Sequence, residues 1–181
     1  MDAQVGVANA SKQSSASTGD AASRDAIAGK EGSFFDAIPP LASQGGTSLL
    51  VHLLGLATSC WRCGTSSTPL VAMIDESGDP FGEDLVLCDD DRTLAFAWQH
   101  LPASARQRFR VGEVKVRSSK TAGASYLSNG CSSCGALFGT FPLFHEALPA
   151  ALSEGFDTLT VLASVHLPTL LFNEIYDSRW T

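Results

Sequence analysis

From Thr47 onward the chain is a series of short apolar runs cut by Gly, Pro or Asp, a pattern that predicts strands more often than helices. Thr47 to Thr58 reads as one strand. It leads into Cys60-Trp61-Arg62-Cys63-Gly64, and Pro69 to Ile74 leads out, so the cysteines fall at the tip of a predicted hairpin. Phe81 to Cys88 predicts a third strand, bounded by Gly78-Asp79-Pro80 and by Asp89-Asp90-Asp91, which reads as a turn. Arg92 to Phe109 is mixed. Leu94, Phe96, Trp98 and Leu101 partly alternate, whereas Pro102 and the residues after it could start a short helix. Val111 to Arg117 carries a weak period of two, and Tyr126 to Asn129 approaches Cys131-Ser132-Ser133-Cys134-Gly135. Residues 143–153 predict a short helix interrupted by Pro149, and Phe156 to Val165 a last strand. The pattern thus predicts an α+β, β-rich domain: an antiparallel sheet with cysteine-bearing hairpins and one or two short helices.

Before this region the composition changes. Residues 1–33 are dominated by Ala, Ser, Gly, Asp and Gln and hold no aromatic residue, a composition that predicts a disordered tail, with a short helix over Asp20 to Ala28 as the one exception. Phe34-Phe35-Asp36-Ala37-Ile38-Pro39-Pro40-Leu41 supplies apolar side chains that could pin this tail, and Gly45-Gly46 marks a loop. Residues 34–181 are therefore expected to form one domain. A length of 181 residues with 44% hydrophobic positions suits a single core. The longest apolar run, Leu49 to Ala57, is about half of a bilayer span. Residues 1–30 lack the pattern of a secretory signal, so the expected location is the reducing cytoplasm.

The strongest chemical signal is the cysteine arrangement. Cys60-x-x-Cys63 and Cys131-x-x-Cys134 have identical spacing, and a glycine follows each pair. Two turns of this kind supply the four tetrahedral sulfurs that a structural Zn²⁺ takes. Gly64 and Gly135 can adopt positive φ, which turns nearby backbone N–H groups toward the sulfurs. The 67 residues between Cys63 and Cys131 imply strands inserted between the two turns. Iron fits the same S₄ cage and is the alternative metal. A third reading is thiol-redox chemistry at Cys60 and Cys63, with Arg62 lowering a thiol pKa, although the pair has no strand-to-helix placement. Cys88, between Leu87 and three aspartates, reads as a buried strand-end residue.

The CxxCG…CxxCG pattern with flanking apolar strands resembles the zinc-ribbon and rubredoxin-like double-knuckle proteins. More narrowly, Ser59-Cys-Trp-Arg-Cys-Gly64 with Leu70-Val-Ala-Met73, and Tyr126-x-x-Asn-x-Cys-x-x-Cys-Gly-Ala-x-x-Gly139, is similar to uncharacterised bacterial proteins with a split knuckle pair. The resemblance covers about residues 50–146 and implies zinc-ribbon-like hairpins and a zinc site, but no reaction.

No GxSxG, HExxH, phosphate-loop or dinucleotide motif occurs, so catalysis has no positive support. His52, His100 and His166 read as structural. His145 beside Glu146 is the one candidate for acid–base chemistry or metal ligation. Charge divides the chain further. Twelve Lys and Arg against nineteen Asp and Glu give a net charge of −7, to which a tetrathiolate Zn²⁺ would add about −2. Eight carboxylates lie between Asp75 and Asp91, whereas Arg106, Arg108, Arg110, Lys115, Arg117 and Lys120 are opposed only by Glu113. That basic stretch leaves local nucleic-acid binding open, and it equally fits charged strand edges that discourage pairing between molecules. The apolar ending, with Leu170, Leu171, Phe172, Ile175 and Trp180, either packs on the domain or offers a surface to a partner or a second copy. The leading expectation is a non-enzymatic zinc-binding domain that engages another macromolecule, most simply a protein.

Overall fold

The computed structural model describes residues 47–79 and 84–177. The predicted tail and its Asp20–Ala28 helix, the Phe34–Leu41 anchor, the Gly45-Gly46 loop, the first residues of the predicted 81–88 strand and Trp180 lie outside the described residues.

The architecture is α+β with antiparallel sheets. The main sheet contains β1 (Ser48–Leu56), β4 (Leu70–Asp75), β5 (Val86–Leu87) and β8 (Leu159–Pro168) in the order β5-β4-β1-β8. β4 is buried over Leu70 to Ile74, which explains its unbroken Leu-Val-Ala-Met-Ile run; a strand covered on both faces has no polar side to alternate with. β1 pairs with β4 on one side and with β8 on the other. Two small hairpins complete the strands: β2 (Thr58–Ser59) with β3 (Ser66–Ser67), and β6 (Lys115–Ser119) with β7 (Ala124–Ser128).

Among the described residues there are four α-helices, where the pattern predicts one or two. The ambiguous 92–109 stretch is α1 (Asp91–His100) and α2 (Ala103–Arg108). Asp90, inside the predicted acidic turn, is the N-cap of α1, its carboxylate accepting from the Arg92 and Thr93 N–H groups at 2.7 and 3.0 Å. The apparent alternation misleads because Thr93 to Ala97 are all buried. Arg106 then closes the other end of α1: its guanidinium donates to Leu101 O and Trp98 O and lies over the Trp98 ring at 3.7 Å. The end of α2 is a Schellman turn, with Val111 N–H bonded to Arg106 O and Arg110 at φ +56° in the place usually held by glycine.

The predicted 143–153 helix begins earlier, as a wide π-type turn over Phe141–Ala147 that runs into α3 (Leu148–Glu154). Pro149 sits in the first turn of α3, directly after the π-type turn. The predicted 81–88 strand is reduced, among the described residues, to β5. The apolar ending forms α4 (Thr169–Asp177), which buries Phe172 and Ile175 and leaves Leu170 exposed.

Candidate metal centre

Each cysteine pair is held by the same backbone turn. In the first, Cys60 N–H donates to Thr65 O and Gly64 N–H to Cys60 O, at 2.9 and 2.8 Å. In the second, Cys131 N–H donates to Ala136 O and Gly135 N–H to Cys131 O, at 2.8 and 3.0 Å. Gly64 and Gly135 have φ of +71° and +67°, and neither would meet a neighbour within 4 Å if it carried a Cβ. Left-handed geometry, not crowding, is therefore what these positions demand. The β2–β3 pair carries the first turn, and a bridge between Gly130 and Leu137 closes the second.

The fold brings the turns together. The sulfurs of Cys60, Cys63, Cys131 and Cys134 all lie within 4.8 Å of one another, and could hold a metal ion. The Cys60–Cys134 and Cys63–Cys131 separations are both 3.7 Å. A tetrahedron of sulfurs about 2.3 Å from a central Zn²⁺ has edges of about 3.8 Å, so these two separations match such an edge and the donor set fits a tetrathiolate centre in type. Both of these contacts run from one turn to the other, so the cluster joins the two turns. Cys88 is buried apart from this cluster; burial, reinforced by Asp90 and Asp89, pushes its thiol pKa up.

Thiolate character is unevenly supported. Burial opposes charge on Cys131, but the Ser67 hydroxyl and the backbone N–H groups of Cys134 and Ser133 outweigh it and bring the thiol down to about 6. Cys63 is lowered first by the Thr65 side chain and backbone, and then by Cys134. The support around Cys131 is invisible in the motif. Ser67 Oγ, at the end of β3, donates to Cys131 Sγ at 3.5 Å and accepts from Ser132 N–H at 3.0 Å. Asn129 is buried, and its amide accepts from Leu70 N–H at 3.0 Å and donates to Leu70 O at 2.9 Å. This side chain therefore acts as a backbone rung between β4 and the second turn.

The basic stretch is partly built into the same scaffold. Arg117 donates to the carbonyls of Glu113, Lys115, Ser128 and Gly135, at distances from 2.6 to 3.2 Å. Arg106 closes α1 as described, and Lys115 pairs with Glu113 at 2.6 Å. Arg108 lies 5.0 Å from the Phe109 ring, while Arg110 and Lys120 are exposed. The six cations thus do not form one free face. His145 is not in the sulfur cluster; it is exposed and stacks on Phe141 at 5.2 Å. His52 Nδ1 meets Ser164 Oγ at 2.8 Å across β1 and β8, and His100 Nδ1 meets Phe96 O at 2.8 Å.

Beside the sulfurs lies a feature that the spacing did not announce. Trp61, between the first two cysteines, is 73% exposed, and its Nε1–H donates to Leu137 O at 2.9 Å, just past the second pair. It forms one wall of a cleft of about 710 Å³, with Tyr126, Leu137, Phe141, Pro142 and His145 among the lining residues. Phe141 is itself 66% exposed.

No protein-family model, no curated protein and no solved structure matches this chain. The class that fold and site define is an α+β protein with a cysteine tetrad able to hold a metal ion. Among the described residues no helix is long and apolar enough to cross a membrane.

Proposed function

We propose that the protein is a non-enzymatic module in which a structural Zn²⁺, bound by Cys60, Cys63, Cys131 and Cys134, ties two distant hairpins together and so fixes a surface for binding another protein. The observation that carries this reading is the sulfur spacing: two cross-turn distances of 3.7 Å, close to the edge of a zinc–sulfur tetrahedron. Four protein sulfurs complete a tetrahedral shell and leave no position for substrate or water, as in structural sites. The surface is the aromatic one beside the centre, because Trp61 is carried by the first turn and bonded to the exit of the second. Metal binding then contributes directly to folding, since the site does not exist in the unfolded chain. A reducing compartment such as the cytoplasm suits four thiolates. Iron in the same cage would reveal itself by visible charge-transfer absorption, which zinc lacks.

The experiment is metal removal and return. Chelation should abolish cooperative unfolding, and added Zn²⁺ should restore it. A chain that unfolds with the same midpoint in the presence and absence of chelator contradicts the proposal.

A further inference from the structure

A second concavity, of about 480 Å³, lies against both cysteine turns. Thr65 lines it from the first turn, Ser132 and Ser133 from the second, and Arg106, Gln107 and Arg110 from the end of α2. Each of these six side chains carries a hydrogen-bond donor, and the two arginines are always charged. Val111 is the apolar member of the lining, and no Asp or Glu contributes, in a chain that has nineteen of them and a net charge of −7. A cavity walled by donors and cations favours an anion.

Arg110 distinguishes this cavity from an ordinary basic surface. Among the described residues it is the only non-glycine residue with positive φ, +56°, in a turn that glycine would adopt without strain. Its backbone is held on both sides: its N–H donates to Gln107 O and its carbonyl accepts from Thr68 N–H, both at 3.3 Å, and Val111 beside it bridges to Cys131. Its side chain is exposed and takes no part in the two ion pairs found among the described residues, which belong to Arg92 and Lys115. A left-handed arginine costs stability that glycine would not, and what the position keeps in exchange is a guanidinium at the cavity wall. Arg106 adds charge but less freedom, since two of its nitrogens already donate to Leu101 O and Trp98 O.

A guanidinium flanked by hydroxyls and an amide matches the several acceptor oxygens of a terminal phosphate, which the planar fork takes in pairs. A nucleic-acid backbone would instead need a row of free cations, whereas Lys115, Arg106 and Arg117 are engaged in an ion pair, helix closure and a turn brace. A loaded tetrathiolate would place about −2 beside the cavity, so an anion stays there only if a guanidinium engages it directly. We infer that this cavity binds a phosphate monoester, held by Arg110 and by donors from both cysteine turns. The inference rests on the proposed module only in that Thr65 and the two serines stay together when the turns do.

The test is calorimetric titration of the full chain with phenyl phosphate at fixed ionic strength, with zinc measured on the same samples. Phenyl phosphate should bind at one site. Arg110→Gly should weaken it about tenfold or more while leaving the thermal midpoint unchanged or raised, because glycine is unstrained at φ +56°. Arg108→Ala removes the same charge from the same helix but not from the lining, and should change affinity by less than about twofold. Equal losses in the two variants overturn the inference by reducing the site to a general field. Absence of binding overturns it as well, and so does tighter binding of a single-stranded oligonucleotide without a terminal phosphate, since diesters would then be the ligand. A phosphoserine peptide that binds more tightly than phenyl phosphate assigns the site to a modified protein, and equal affinity assigns it to small phosphate esters; the site stands in both cases. Phosphate binding without zinc defeats only the metal module, and zinc without phosphate binding defeats only this site.

Discussion

The two cysteine turns share spacing, backbone bonds and a left-handed glycine, yet they are supported by different means. The second is braced from several directions: by Ser67 on the Cys131 sulfur, by Asn129 on both backbone groups of Leu70, and by Arg117 on the Gly135 carbonyl. The first presents Trp61 to the surface and leans on the second through the indole N–H. One turn is thus braced by side chains from other parts of the domain, and the other is carried by the backbone of the β2–β3 pair that continues β1 and β4. Ligand spacing alone gives no sign of this division, because it is identical in the two.

Equal ligands should give equal and large losses. Cys131→Ser and Cys63→Ser are each expected to remove the metal and with it cooperative unfolding, read by elemental analysis and calorimetry; a variant of either that keeps both would separate the turns where the account joins them. The braces should matter only on one side. Asn129→Ala leaves the N–H and C=O of buried Leu70 without partners, and should destabilise the chain by about 2–4 kcal/mol in denaturant titration. Arg117→Ala should leave the fold in place but weaken metal affinity about tenfold in chelator competition, as is usual when groups that orient ligands are removed. Trp61→Ala should cost only about 1 kcal/mol, the worth of one exposed hydrogen bond to Leu137 O, while abolishing whatever the cleft binds. An Asn129 variant as mild as the Trp61 variant would erase the asymmetry.

The convergence of the four cysteines was legible because its signal is local: residue type, a two-residue gap and a following glycine. The braces were not, since Asn129 and Arg117 act on carbonyls and N–H groups that any residue possesses, so the partner leaves no trace in composition. Among the elements, the strands flanking the first turn were readable from unbroken apolar runs. Helix α1 was hidden because its buried Thr93 to Ala97 stretch imitates alternation and its cap, Asp90, sits in an aspartate triplet that resembles a turn. The basic stretch shows the same limit in charge: Arg106 and Arg117 count toward a positive patch in the sequence, but in the fold they serve as helix closure and turn brace. Where a guanidinium has carbonyl partners, charge counting overstates what remains for nucleic acid.

The central claim is that the two turns are joined by one metal ion. It is tested most directly by elemental mass spectrometry on the full chain purified without chelator, beside a free-thiol count before and after chelation. Zinc is expected in a one-to-one ratio, with the four thiols of the tetrad protected until the metal is removed. A metal-free chain in which Cys60 and Cys63 reversibly form a disulfide would contradict it.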